Sequence, residues 1–276
     1  MPRPAIAITN SFLAAGLLAF TTLTTPAQST ATTPTTDATH LTFDVVSIKQ
    51  NKSDPGPAMI ISPPESDRIL VRNAPPREII GEAYGIRLRD QITGLPGWAD
   101  SDRYDMEAKI AESDEAAFHR LLPMQRNPML QSVLANRFHL MSHFETKELP
   151  AYALVILKNK TGPKLTEIQP GVLPNGLKDP GGINMSRTEI TAAGADMLNL
   201  LHVLQLQTGR PIVDRTGLTG HYNFVLKWTP DQDSASPDAG PSIFTAIQEQ
   251  LGLKLEPIKA PVQILVVDHI ERPSEN

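Results

Sequence analysis

The chain has 276 residues, 40% of them hydrophobic, a net charge of −5 and no cysteine. That is enough apolar content for one large packed domain or two ordinary ones, and it excludes global disorder. The charge has the wrong sign for a nucleic-acid-binding face or a polybasic membrane patch, and without cysteine there is no disulfide, thiolate nucleophile or cysteine metal site.

Residues 1–27 read as a secretory signal peptide. Arg3 is the only charge in MPRPAIAITNSFLAAGLLAFTTLTTPAQS, an apolar run covers Phe12 to Phe20, and small residues lead to Ala27. A positive start, a short apolar centre and a small-residue cleavage site form that pattern, and the run is shorter than the roughly 20 residues a spanning helix needs. The expectation is an exported protein, periplasmic or extracellular after cleavage near Ala27, with no transmembrane segment in the mature chain. Residues 28–40, rich in Thr, Ala and Pro, are expected to be a disordered tether.

A first lobe is predicted over 41–157. LTFDVVSIKQ reads as a strand with a buried face. RILVRNAPPREIIGEAYGI reads as a strand, a turn and a helix that Pro75 and Pro76 open and Gly85 closes. GLPGWADSDRYDMEAKI is a turn and a strand, and MLQSVLANRFHL is a helix that Asn136 is expected to cap. A strand at HLMSHFE and a last alternating strand at LPAYALVIL complete the lobe. The Gly- and Pro-rich residues 158–182 read as a linker or long loop.

The predicted second lobe, 183–273, repeats that order. RTEITAAGADMLNLLHVL is a strand, a turn and a helix with Met197, Leu200, Leu201 and Leu204 on one stripe, closed by Gly209. GRPIVDRTGLTGHYNFVLKW is a strand, a turn and a strand. FTAIQEQLGLKL is a helix closed by Gly252, and APVQILVVD is the last strand. Tyr104 falls over Tyr222, Lys109 over Lys227 and Pro150 over Pro261. The predicted class is therefore α+β, with two related lobes from an internal duplication, each a small mixed or antiparallel sheet with two helices.

Catalytic signals are weak. Asp214, Arg215 and His221 flank two glycines, but the matching stretch TGLPGW turns the chain with no Asp or His, so Asp214, Gly217 and Gly220 are read as a structural turn. VDRTG lacks the uninterrupted Asp-Thr-Gly and the second carboxylate of an aspartic protease. Ser132, Ser142 and Ser186 have no nucleophile setting, and there is no phosphate-binding glycine loop. On a strand, His139 and His143 would lie about 13 Å apart, too far to share one ion. Asp231 and Asp233 lack the glycine and closing glutamate of a calcium loop. Trp98 and Trp228 are read as packing or rim residues and not as a ligand platform. No catalytic, cofactor-binding or metal residue is assigned.

The runs FDVVSIKQNKS, GLPGWADSDRYDMEAK, LQSVLANRFHLMSHFETKELPAYALVI, GRPIVDRTGLTGHYNF and IFTAIQEQLGLKLEPIKAPVQILVVDHIERPSEN resemble an exported "soil-associated" family of bacterial proteins with a domain of unknown function. The resemblance covers nearly all of the mature chain. It implies no reaction or ligand, although relatives joined to membrane metallopeptidase sensor-type regions point to extracytoplasmic binding or sensing. Each half is also similar in element order to the short N-terminal domain of secretins and TonB-dependent receptors. The expected function is a non-catalytic interaction module for an envelope protein or a cell-wall polymer. A hydrolase with a site between the lobes is the alternative.

Overall fold

In RYDMEAKI, residues Tyr104, Met106, Ala108 and Ile110 are buried while Arg103, Asp105, Glu107 and Lys109 turn outward, a period of two that permits only one core face. The same rule accounts for most strands in this computed structural model of the chain. The structure describes residues 41–52, 56–63, 65–158, 163–171, 179, 181–230 and 240–274. The predicted leader, the tether and the Asp231–Asp233 loop lie outside the described residues.

The chain begins with strands β1 (Phe43–Asn51), β2 (Met59–Ile61) and β3 (Arg68–Ala74), helix α1 (Pro76–Tyr84) and the short β4 (Ile92–Thr93). Helix α2 (Trp98–Ser101) leads into β5 (Arg103–Ile110). Three helical pieces follow, α3 (Glu115–His119), α4 (Pro123–Arg126) and α5 (Leu130–Arg137), and then the long β6 (Met141–Ile156). Next come β7 (Thr166–Ile168), β8 (Gly182–Met185), β9 (Glu189–Ala195), α6 (Met197–Thr208), β10 (Ile212–Asp214) and β11 (His221–Lys227). Helix α7 (Ile243–Ala246) runs into a π-helical turn, Ile247–Leu251, before β12 (Leu253–His269).

The fold is α+β, but its strands form three four-stranded sheets rather than one per lobe. The first has the order β1-β5-β3-β2 and the third β7-β11-β9-β8, both antiparallel. Between them lies β10-β6-β12-β4. The reason is strand length. HLMSHFE and LPAYALVIL, expected as separate strands, run together as β6, whose 16 residues pair with the 17 of β12. Strands β4 and β10 then add in parallel to opposite sides of this ribbon. The predicted linker 158–182 also contains a strand, β7, which pairs with β11 at His221–Asn223.

Two hydrophobic cores result, and the ribbon passes through both. One fills the space under the first sheet, α1 and α5, and closes on Leu265 and Val267 of β12. The other lies under the third sheet, α6 and the 243–251 helical segment, and closes on Leu154 of β6 and Leu253 and Leu255 of β12. Trp228 is buried in the second core, whereas Trp98 is only partly buried against the first.

Left-handed residues mark strand breaks, helix ends and turns. Asn73 and Gly194 (φ 51° and 67°) sit at register breaks in β3 and β9. The backbone N–H of Asn73 donates to Asp105 Oδ1 and that of Gly194 to Asn223 Oδ1, each at 2.8 Å. Gly85 and Gly209 (φ 69° and 64°) close α1 and α6, and Gly94 and Gly217 (φ 80° and 70°) lie in the turns before β5 and β11. Gly252 (φ 67°) closes the last helical turn.

After α5 the left-handed residue is His139 (φ 49°), not Asn136, which lies inside the helix. The chain reverses three residues beyond Asn136, with the Phe138 and Leu140 N–H groups both donating to Leu134 O. A histidine strains in this region where glycine does not. His139→Gly is therefore expected to raise the unfolding free energy by about 0.5–1 kcal/mol in urea titration. The substitution forfeits only an exposed contact with Glu271, which contributes little. A fall in stability would show that this contact outweighs the strain.

Candidate functional site

Helix α1 opens at Pro76, whose missing N–H costs nothing in a first turn. It ends at Gly85, and the loop 86–91 then returns the chain to β4. Helix α6 opens where the Asp196 side chain accepts a hydrogen bond from Asn199 N at 2.8 Å. Its apolar stripe is buried in the second core, which leaves His202, Gln205 and Leu206 on other faces. The loop after α1 and this side of α6 line the same depressions, forming a groove between the two cores.

Arg87 sits where three depressions meet. One, of about 420 Å³, is walled by Arg77, Glu78, Arg89 and Leu206. A second, of about 610 Å³, is apolar and includes Ile61, Leu122, Pro123 and Met124. The third, of about 240 Å³, is lined by Tyr84, Phe144, His202, Gln205 and Gln263.

The charges in the groove are largely spent on one another. Arg87 pairs with Glu82, whose other oxygen accepts from Asn127 Nδ2 at 2.5 Å. Arg77 holds Asp100 through Nε at 2.6 Å and Nη2 at 3.1 Å, and Arg89 reaches the same carboxylate at 2.5 Å. The Arg77 hydrogen bond is the main reason that the Asp100 carboxyl lies below its ordinary pKa. His202 moves down as well, chiefly by burial and then by the positive charge of Arg87, against the pull of Asp196 and Glu82. Its imidazole is neutral at neutral pH. Tyr84 Oη accepts a hydrogen bond from Ser142 Oγ at 3.2 Å, and its ring meets Phe144 edge-on at 6.0 Å.

Asp214, Gly217 and Gly220 lie elsewhere, in the loop between β10 and β11. Asp214 Oδ1 accepts from Thr216 N at 2.8 Å and Thr216 Oγ1 at 2.7 Å, and Gly217 takes the positive φ. Gly220 has no positive φ, and its N–H donates to Tyr222 Oη at 3.2 Å. His221 Nδ1 lies 2.9 Å from Gly194 O. Asp214 and His221 are thus bonded locally and are not brought together.

His139, His143 and His269 form an exposed patch at one end of the ribbon. Glu271 lies 2.9 Å from His269 Nε2 and 3.2 Å from His139 Nδ1. His143 Nδ1 is 2.8 Å from Asp268 Oδ2, and its Nε2 is 3.4 Å from Glu145 Oε1. Among the described residues no group of three such side chains is disposed to hold a metal ion. The bond to Asp268, and then that to Glu145, raise the His143 pKa. With a folded pKa above the unfolded value of about 6.5, the stabilisation is fully present below that value and fades as pH rises through the folded one. Asp268→Asn is expected to flatten this dependence and to return the His143 NMR titration toward the ordinary value. An unchanged titration midpoint would show that Asp268 does not set it.

Neither Arg87 nor His202 stood out in the sequence. Arg87 belongs to the charged run IRLRD, and His202 is a polar break in an apolar helix. The only available signal was that His202 and Gln205, three residues apart, share a side of α6 that the apolar stripe leaves free. No helix among the described residues is long and apolar enough to cross a membrane. No curated protein matches the chain, and no solved structure matches it. One family model does match, over residues 77–270, and the chain belongs to that family, described as a protein of unknown function (DUF3738).

Proposed function

We propose that the chain is an exported, non-catalytic binding module that takes an envelope protein or a cell-wall polymer in the groove between α1 and α6. The main support is the spent state of the charges in that groove. Arg87, Arg77 and Arg89 are held by Glu82 and Asp100, an arrangement suited to a preformed surface more than to moving protons. Export rests on the leader-like residues 1–27. The Asp214 loop acts as a turn in this reading. Duplication is supported by the two sheet orders, which coincide when six is added to each strand number, and by the paired left-handed residues. The likeness of each half to the short domains of secretins and TonB-dependent receptors agrees with an envelope role, by architecture alone.

His202 favours a second reading, a hydrolase. A neutral, half-buried imidazole in a groove is suited to act as a general base. Against this, no described hydroxyl or carboxylate hydrogen-bonds to it, whereas a catalytic base is usually oriented by such a partner.

The test expresses the full chain with its leader, sequences the recovered N-terminus, and measures retention on envelope protein and on purified cell-wall polymer. Cleavage near Gln28 is expected, with retention lost in Leu206→Glu and kept in Asp214→Ala. An intact Met1 on envelope-fraction protein would refute export. Turnover of the retained ligand that disappears in His202→Ala would replace binding with hydrolysis.

A further inference from the structure

We propose that the 240 Å³ pocket of the groove, bounded by Tyr84, Phe144, His202, Gln205 and Gln263, is a subsite for one sugar ring of an uncharged glycan. The inference rests on the binding reading above and names its ligand class.

Three observations carry it. The first is what remains unspent. His202 and the side-chain amides of Gln205 and Gln263 make no hydrogen bond to any other described residue, although the charged side chains around them are paired. An amide offers donors and acceptors together and a neutral imidazole one of each, which matches a hydroxyl that must both give and receive. The second is the aromatic corner of Tyr84 and Phe144, with Phe144 left 49% exposed. An aromatic ring presents a flat apolar face beside those polar groups, suited to the C–H face of a pyranose.

The third observation is charge and size. An ionic ligand would have to break Arg87–Glu82 to gain a charge partner, whereas a neutral one leaves that pair intact. The volume equals that of about eight waters at ~30 Å³ each, enough for one ring. A peptide fits less well. Strand addition runs along a sheet edge, whereas most of the wall here is the end of α1, the loop that follows it and the side of α6. The larger depression beyond Arg87, at about 420 Å³, has room for the next ring of a chain.

The experiment titrates the full chain with uncharged cello-, xylo-, malto- and chito-oligosaccharides by calorimetry, at low and high salt, beside an acidic and a basic peptide. At least one oligosaccharide is expected to bind, with affinity changed less than about twofold by salt because no net charge is neutralised. The Phe144→Ala/Gln205→Ala double variant, altered only at surface positions, is expected to weaken it at least tenfold while keeping the parent melting temperature. His202→Gln, which retains a neutral hydrogen-bonding group, is expected to bind more tightly than His202→Leu.

Failure of every oligosaccharide to bind, steep salt dependence, or a double variant that binds as the parent does would each overturn the sugar subsite. If a peptide binds instead and Leu206→Glu removes it, the binding-module reading stands while this one falls. If an oligosaccharide binds and is cleaved, the subsite stands and the non-catalytic reading falls.

Discussion

Arg126→Ala is expected to lower the unfolding free energy by about 3 kcal/mol, combining lost hydrogen bonds, stranded acceptors and a cavity. Arg126 is 1% exposed although it carries a guanidinium. Its Nε donates to Leu121 O at 3.1 Å, and its Nη1 donates to Ser62 Oγ at 3.1 Å and Pro63 O at 3.0 Å. The guanidinium also stacks 4.2 Å from the centre of the buried Phe118 ring. Burial lowers its pKa, with the charge of Glu65 opposing, yet a guanidinium titrates so high that it stays charged. One side chain thus joins the segment after β2 to α3 and α4. Its removal leaves those acceptors without their donor and opens a space among Phe118 and its neighbours. At about 2–4 °C per kcal/mol for a chain of this size, the melting temperature should fall by roughly 10 °C. Arg126→Met keeps most of the volume and loses the donors, so it should recover only part of the loss. Full recovery by methionine would show that packing alone holds this corner, and an unchanged melt for alanine would reject the account.

The sequence was most informative where one residue class recurs at one period. Alternation marked β1 and the LPAYALVIL part of β6, and the stripe through Met197, Leu200, Leu201 and Leu204 marked α6. Pairing was a different matter. An alternating strand such as APVQILVVD is satisfied by any partner that covers its apolar face, so nothing local says that β12 runs along β6. Strand β7 was hidden for a related reason, since three residues carry no period and their partners at His221–Asn223 are distant in the chain. The Asn136 cap failed because a preference for the left-handed region is weaker than the packing that decides where α5 must end. That end puts Phe138 in the first core and leaves the left-handed position to His139. The groove was illegible for a spatial reason. Arg87 and His202 each look like an ordinary surface residue until β4 and β10 are docked on the shared ribbon, which brings α1 and α6 into the same neighbourhood.

That docking depends on Gly94, and Gly94→Ala is expected to cost about 3–4 kcal/mol, from left-handed strain together with overpacking. Gly94 has φ 80°, and a Cβ built there would overlap the backbone carbonyl oxygen of Val267. Thr93 pairs with Val266 on one side of β12, while Val267 pairs with Ser142 on the other, so the carbonyl is held from both directions and has little room to retreat. Gly217, in the loop between β10 and β11, separates the two contributions. Its φ of 70° is similar, but a Cβ would have nothing within 4 Å. Gly217→Ala should therefore lose only the conformational part, about 1 kcal/mol. Gly220→Ala should lose about 1 kcal/mol or less, because its φ is ordinary and the nearest obstacle is the exposed, movable Glu167 carboxylate, although the Tyr222 hydroxyl is also close. Denaturant titration of the three variants should place Gly94→Ala well below the other two. Equal losses for Gly94→Ala and Gly217→Ala would mean that the ribbon yields at Val267 and that close approach is not what fixes β4. A full loss should also reach the groove, since β4 anchors the far end of the loop that carries Arg87. Partial unfolding there, read as faster amide exchange in 86–91 than in β11, would connect the turn glycine to the binding surface.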